Sequence, residues 1–89
     1  MSSAHLVFSS SGVRALSSMT VGARGVVAEV RAHGGERVDR LQALGVTAGA
    51  AVVVLQTFPG VVFLCDQTEL AVERGVADAI LVRPAEAAA

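Results

Sequence analysis

Apolar and polar positions change period several times along the 89 residues. From Gly25 to Arg31 they alternate, with Val26, Ala28 and Val30 on one side and Val27, Glu29 and Arg31 on the other. That pattern predicts a strand half-buried in a sheet. Ala32 to Gly35 reads as a loop, and Glu36 to Leu44 then takes a helical spacing. Val38, Leu41 and Leu44 recur at i, i+3 and i+6 and make one apolar stripe. Gly45 stands where a left-handed residue ends a helix, and Val46 is placed to touch Leu41, the contact that accompanies a Schellman cap. Thr47 to Ala50 is a turn into a second strand, Ala51 to Thr57, and Phe58-Pro59-Gly60 is another turn. Val61 to Cys65 and Thr68 to Glu73 are two strands spaced as a tight hairpin around Asp66-Gln67. Arg74 to Asp78 has the length of one helical turn, and Ala79 to Arg83 closes as a last strand before Pro84. Five short strands, tight turns and one helix predict a mainly β fold, a small barrel. Its expected core is Val26, Val30, Leu41, Leu44, Val52, Val54, Leu70, Val72, Ile80 and Val82.

The ends carry less pattern. Met1 to Arg14 is Ser-rich and reads as a flexible arm, in which His5 to Phe8 has the makings of a short added strand. The last residues are an Ala-rich tail. The expected organisation is an arm over 1–14, one domain over 15–84 and a tail over 85–89. A chain this short supports a single hydrophobic core.

Composition excludes several classes. The chain is 53% apolar and 17% charged with a formal net charge of −1. A disordered segment would show the reverse balance. An electrostatic nucleic-acid binder would carry a basic excess, and stacking aromatics are scarce, with three Phe and no Trp or Tyr. Cys65 is alone, which excludes a disulfide-stapled scaffold and fits a reducing compartment. Leu41 to Cys65 contains no Asp, Glu, Lys or Arg, a stretch of 25 residues and long enough to cross a bilayer as a helix. Gly45, Gly49 and Pro59-Gly60 break that stretch into short β-branched pieces, and no aromatic belt flanks it. Strands are expected there, without membrane insertion. The first fifteen residues lack a positive start followed by an apolar run, so no leader is expected.

Candidate chemistry is sparse. His5 lies in the arm and His33 beside a Gly-Gly turn, both more simply solvated than functional. Cys65, between Leu64 and Asp66, is most simply a small core residue. No CxxC, HExxH, EF-hand or phosphate-loop pattern occurs, so no catalytic residue, cofactor site or metal ligand is assigned. The apolar surplus says more. Val52 and Val54 oppose Val53 and Leu55, and Val61, Phe63 and Cys65 oppose Val62 and Leu64. A small barrel has one inside, so Val53, Leu55, Val62 and Leu64 are expected on an outer face, as a contact with another chain or under cover of the arm or the helix. Self-association is one expectation.

Taken together, certain segments resemble the FeoA domain, the ferrous iron transport protein A family. Met19-Thr20-Val21-Gly22 leads in. Arg40-Leu41, Leu44-Gly45 and Gly49 follow as RLxxLGxxxG, then come Pro59 and Leu70-Ala71, and the pattern ends in Ala77-Asp78-Ala79-Ile80-Leu81-Val82. The match covers roughly Leu16 to Arg83. The resemblance implies an SH3-like β-barrel with one short inserted helix. It also implies a bacterial, cytoplasmic, non-enzymatic protein of iron homeostasis. Such a protein would support ferrous iron uptake by protein–protein interaction with a membrane permease GTPase. The family is grouped with transition metal ion binding because similar domains end iron-dependent repressors. The alternative is therefore a stand-alone relative of that repressor C-terminal domain, acting as an interaction or metal-responsive module. Ala48 stands where many relatives have Pro, Asp66 where many have Gly, and Leu64 where many are polar. Leu64 adds apolar surface to the outer face.

Overall fold

β-branched runs separated by Gly- and Pro-bearing turns fold into one antiparallel sheet. The computed structural model describes residues 12–31 and 35–85, and of residues 35–38 the backbone only. The elements are β1 (Arg14–Ala15), a 3₁₀ turn (Leu16–Ser18), β2 (Arg24–Val30), α1 (Gly35–Ala43), β3 (Ala51–Gln56), β4 (Val61–Cys65), β5 (Thr68–Val72), α2 (Arg74–Ala77) and β6 (Ile80–Pro84). The strand order is β1-β6-β2-β3-β4-β5, every pairing antiparallel. The sheet curls, barrel-like, around one core. Its largest fully buried side chains are Phe63, Leu16, Ile80, Val27, Val46, Val52, Val54, Val61 and Val82. Each such large aliphatic or aromatic side chain stabilises the fold by about 1.5–3 kcal/mol relative to exposure.

Among the described residues six strands form rather than five, because β1 pairs with β6 through Arg14↔Val82 and Ala15↔Leu81. The expected arm strand at His5–Phe8, and His33, lie outside the described residues. The helix starts and stops one residue earlier than its apolar stripe suggests.

Two expected core residues are exposed, for different reasons. Val26 is 40% exposed and Val27 is buried in its place. Val27 pairs with Val82 and Glu29 with Leu81, so Ala28 is an extra residue, a β-bulge. The bulge resets the alternation, and Val27 and Val30 both turn inward although three residues apart. Leu44 is 47% exposed. The chain reverses immediately after it, and the buried Val46 takes the place that the helical stripe assigned to Leu44. The cap itself forms as expected. Gly45 has φ 96°, the Val46 N–H donates to the Leu41 carbonyl at 2.9 Å, and the Gly45 N–H to the Gln42 carbonyl at 3.0 Å. Those two bonds are the Schellman pair, and Leu41 and Val46 are both buried beside it.

The next turn is made the same way. Ala50 N–H donates to the Thr47 carbonyl at 3.0 Å, and Gly49, at φ 96°, holds the turn position that requires positive φ. Its own N–H reaches the Val27 carbonyl at 2.8 Å, tying the turn to β2. At the β4–β5 hairpin, Asp66 takes φ 56°. Its N–H donates to the Ala51 carbonyl at 2.7 Å and its Oδ1 accepts the Ala51 N–H at 3.1 Å. Asp66 thus closes the hairpin end and the start of β3 together. The Phe58–Pro59 peptide is cis. Arg74 opens α2 and donates to the carbonyls of Thr57 and Ser17, joining the β3–β4 turn to the 3₁₀ segment.

Candidate functional site

A groove of about 350 Å³ lies where the end of α1 faces β5 and α2. Leu41 and Leu44 form the helix side, and Ala71, Val72 and Val76 the opposite side. Arg40 and Glu73 are its two charged groups, both exposed. The local sequence explains the opening. α1 stops at Ala43 and the Schellman reversal turns the backbone there, so among the described residues no helix continues over Leu44. β5 is an edge strand bonded only to β4 among the described residues, which leaves the other flank of Ala71 uncovered. Chemically the groove suits an apolar side chain inserted between Leu44 and Val76. Its rim offers one cation and one carboxylate to the partner.

The five motif residues separate by role. Leu41 is core, Gly45 and Gly49 supply positive φ, and Arg40 and Leu44 line the groove. Sequence reasoning singled out Arg40 and Leu44 as motif positions without giving them a surface, and it missed Glu73 and Val76. A signal existed for Leu44, since a residue directly before a C-terminal glycine cap sits where the helix no longer has a neighbour.

The outer face lies on the other strands. Val52, Val54, Val61, Phe63 and Cys65 are buried, whereas Val53, Val62 and Leu64 are half-buried and Leu55 is 39% exposed. Val53 pairs with Leu64 directly across the β3–β4 ladder. Gln56 pairs with Val62, so Leu55 is the extra residue of a second bulge.

Cys65 is a core residue. It is buried, its thiol lies 3.5 Å from the Gly45 carbonyl as donor, and burial first, then the Asp66 charge, pushes its pKa up. A thiol held protonated and turned to a helix-end carbonyl is a poor metal ligand. Among the described residues no three His, Cys, Asp or Glu side chains gather as a metal site. No helix among them is long and apolar enough to cross a membrane.

The FeoA domain model matches residues 14–84, most of the chain. The chain belongs to the FeoA domain family. No curated protein matched the sequence. Among solved structures, the crystal structure of an iron uptake regulatory protein, FeoA, is 28% identical at a TM-score of 0.73. The match covers 82% of this chain and 99% of that one. A zinc-complexed FeoA from Stenotrophomonas maltophilia is 20% identical at a TM-score of 0.69, covering 75% of this chain and 86% of that one. It is described as a prokaryotic SH3 domain protein. A manganese-dependent transcriptional repressor is 20% identical at a TM-score of 0.77, covering 82% of this chain and 42% of that one. The last two likenesses concern the fold alone, and the likeness to the Stenotrophomonas maltophilia protein makes this FeoA domain SH3-like. The family is associated with ferrous iron transport and is not a known enzyme family.

Proposed function

We propose that this FeoA domain is a cytoplasmic, non-enzymatic accessory of ferrous iron uptake that binds the cytoplasmic domain of a membrane permease GTPase. The groove between α1 and β5 carries the reading. It presents apolar walls with one charge of each sign, a surface suited to a protein segment. Family membership supplies the iron-transport setting. The Stenotrophomonas maltophilia relative is described as a candidate ferrous iron transport activating factor, which agrees with a protein partner.

The test is binding of the full chain to the isolated cytoplasmic domain of such a permease, followed by biolayer interferometry. Leu44→Glu places a charge on the apolar wall and is expected to weaken binding roughly ten-fold or more, the effect of losing one anchoring side chain. Its circular dichroism should match the parent, because Leu44 is not core. Absence of binding by the parent chain, or an unaffected Leu44→Glu, ends this assignment. The repressor-like alternative gains only if the chain takes up Fe²⁺ or Mn²⁺ stoichiometrically.

A further inference from the structure

We propose that the outer face of β3 and β4 docks onto the same face of a second copy of this chain, about a two-fold axis parallel to the strands. The proposal is independent of the groove and of the permease. It starts from the register. Arg24 of β2 pairs with Val53 of β3, Val53 with Leu64 of β4, and Leu64 with Glu69 of β5. Cross-strand partners point to the same side of a sheet, so these four side chains form one row across the outer face. With strands about 4.8 Å apart the row is about 14 Å long. Its middle is apolar and its ends carry opposite charges. Arg24 and Glu69 are both exposed, and among the described residues neither has an ionic partner. Beside the row, Val62 pairs with Ala71, Val26 with Ala51, and the bulge leaves Leu55 partly exposed, so the apolar middle is wider than one row.

Charge order selects the occupant and the axis. Two copies can meet face to face about an in-plane axis lying along the row or along the strands. An axis along the row sets Arg24 over the partner's Arg24, which repels. An axis along the strands, between β3 and β4, sets Arg24 over the partner's Glu69 and Val53 over the partner's Leu64. Symmetry supplies each contact twice, giving a self-complementary interface. A row about 14 Å long is short for an interface, so the association belongs to the weak, concentration-dependent class.

Sedimentation equilibrium of the full chain tests this. The parent is expected to dimerise with a dissociation constant of roughly 10–100 µM. Arg24→Glu and Glu69→Arg each set like charges across both symmetric contacts and are expected to weaken dimerisation about ten-fold or more. The double exchange, Arg24→Glu with Glu69→Arg, restores opposite charges and is expected to return affinity to within about three-fold of the parent. All three variants are at exposed positions and keep the parent's circular dichroism. A parent chain that stays monomeric at about 500 µM, far above the expected dissociation constant, overturns the proposal. So does a double exchange no better than the single ones, which would mean that another axis, the N-terminal arm or a different protein occupies the face.

Discussion

Three glycines in this fold are predicted to answer the same substitution in three different ways, and Gly25 is the decisive one. A Cβ built on Gly25 would stand 2.5 Å from the Arg83 carbonyl oxygen, 2.6 Å from Val82 Cγ1 and 3.0 Å from Pro84 Cα. Ordinary contact needs roughly 3.5 Å, so β2 and β6 would have to part by about 1 Å. Neither side yields easily. Val82 is fully buried, and the ladder bond from Ala85 N–H to the Arg24 carbonyl, 2.7 Å, lies beside the clash. Overpacking of this kind costs about 1–3 kcal/mol, and a weakened ladder bond adds about 1 kcal/mol. Gly25→Ala is therefore expected to lose about 2–4 kcal/mol, a fall in Tm of roughly 10–25 °C for a domain of this size. At Gly45 a Cβ meets nothing within 4 Å, but φ is 96°, so Gly45→Ala should cost about 1–2 kcal/mol through backbone strain alone. Gly75 lies in α2 with open space and no positive φ, so Gly75→Ala should gain about 0.5–1 kcal/mol. Urea unfolding followed by circular dichroism, with unchanged slope, gives all three numbers. The reasoning is refuted if Gly25→Ala falls within about 0.5 kcal/mol of the parent, the range of an ordinary surface change.

Three further outcomes follow from local geometry. Asp66 pays for a positive φ but holds the Ala51 N–H, so Asp66→Ala should lose about 1–2 kcal/mol in urea unfolding while Asp66→Gly stays within about 0.5 kcal/mol, gain and loss cancelling. The chain has no Lys and no Tyr, so Cys65 is the side chain that titrates between about pH 8 and 11. Its folded pKa is raised, so the unfolded chain releases the thiol proton first; stability is full below the ordinary thiol pKa and falls as pH rises through the raised one. A urea midpoint that drops from pH 7.5 to 10 in the parent, but not in Cys65→Ala, checks this. Cys65 should also resist thiol reagents in the folded protein at neutral pH and react at once in denaturant.

Much of the fold was legible because its punctuation is chemical. Gly45, Gly49, Pro59-Gly60 and Asp66-Gln67 each mark a reversal, and the structure turns at each of them. The apolar alternation of β3 and β4 separated Val52, Val54, Val61 and Phe63 from Val53, Val62 and Leu64 correctly. The bulges were not legible. The alternation across Gly25–Arg31 places Val26, Ala28 and Val30 on one face without a break, and only pairing with β6 shows that Ala28 is the extra residue. The same limit applied to Leu44, whose helical spacing is ideal while no element among the described residues covers it. β1 was invisible because two residues carry no period.

The motif that reveals the family and the surface that serves the proposed function overlap only in part. Gly45 and Gly49 are needed to bend the backbone, and Leu41 to anchor the cap in the core. Any chain with that cap and that turn, whatever it binds, has the same demand at those positions, so they report the fold. Arg40 and Leu44 are different, because the cap that ends α1 is also what leaves them facing the groove. The opposite side is made by Ala71 on β5, Val76 on α2 and Glu73 between the two, outside the helix–cap–turn motif. A substitution at the exposed Ala71 or Glu73 leaves the cap, the turn and the buried core unchanged while altering the size and charge of the groove. Partner choice is therefore expected to reside on the β5–α2 side, and exchanging Glu73 for Arg should change which partner binds before it changes whether the domain folds.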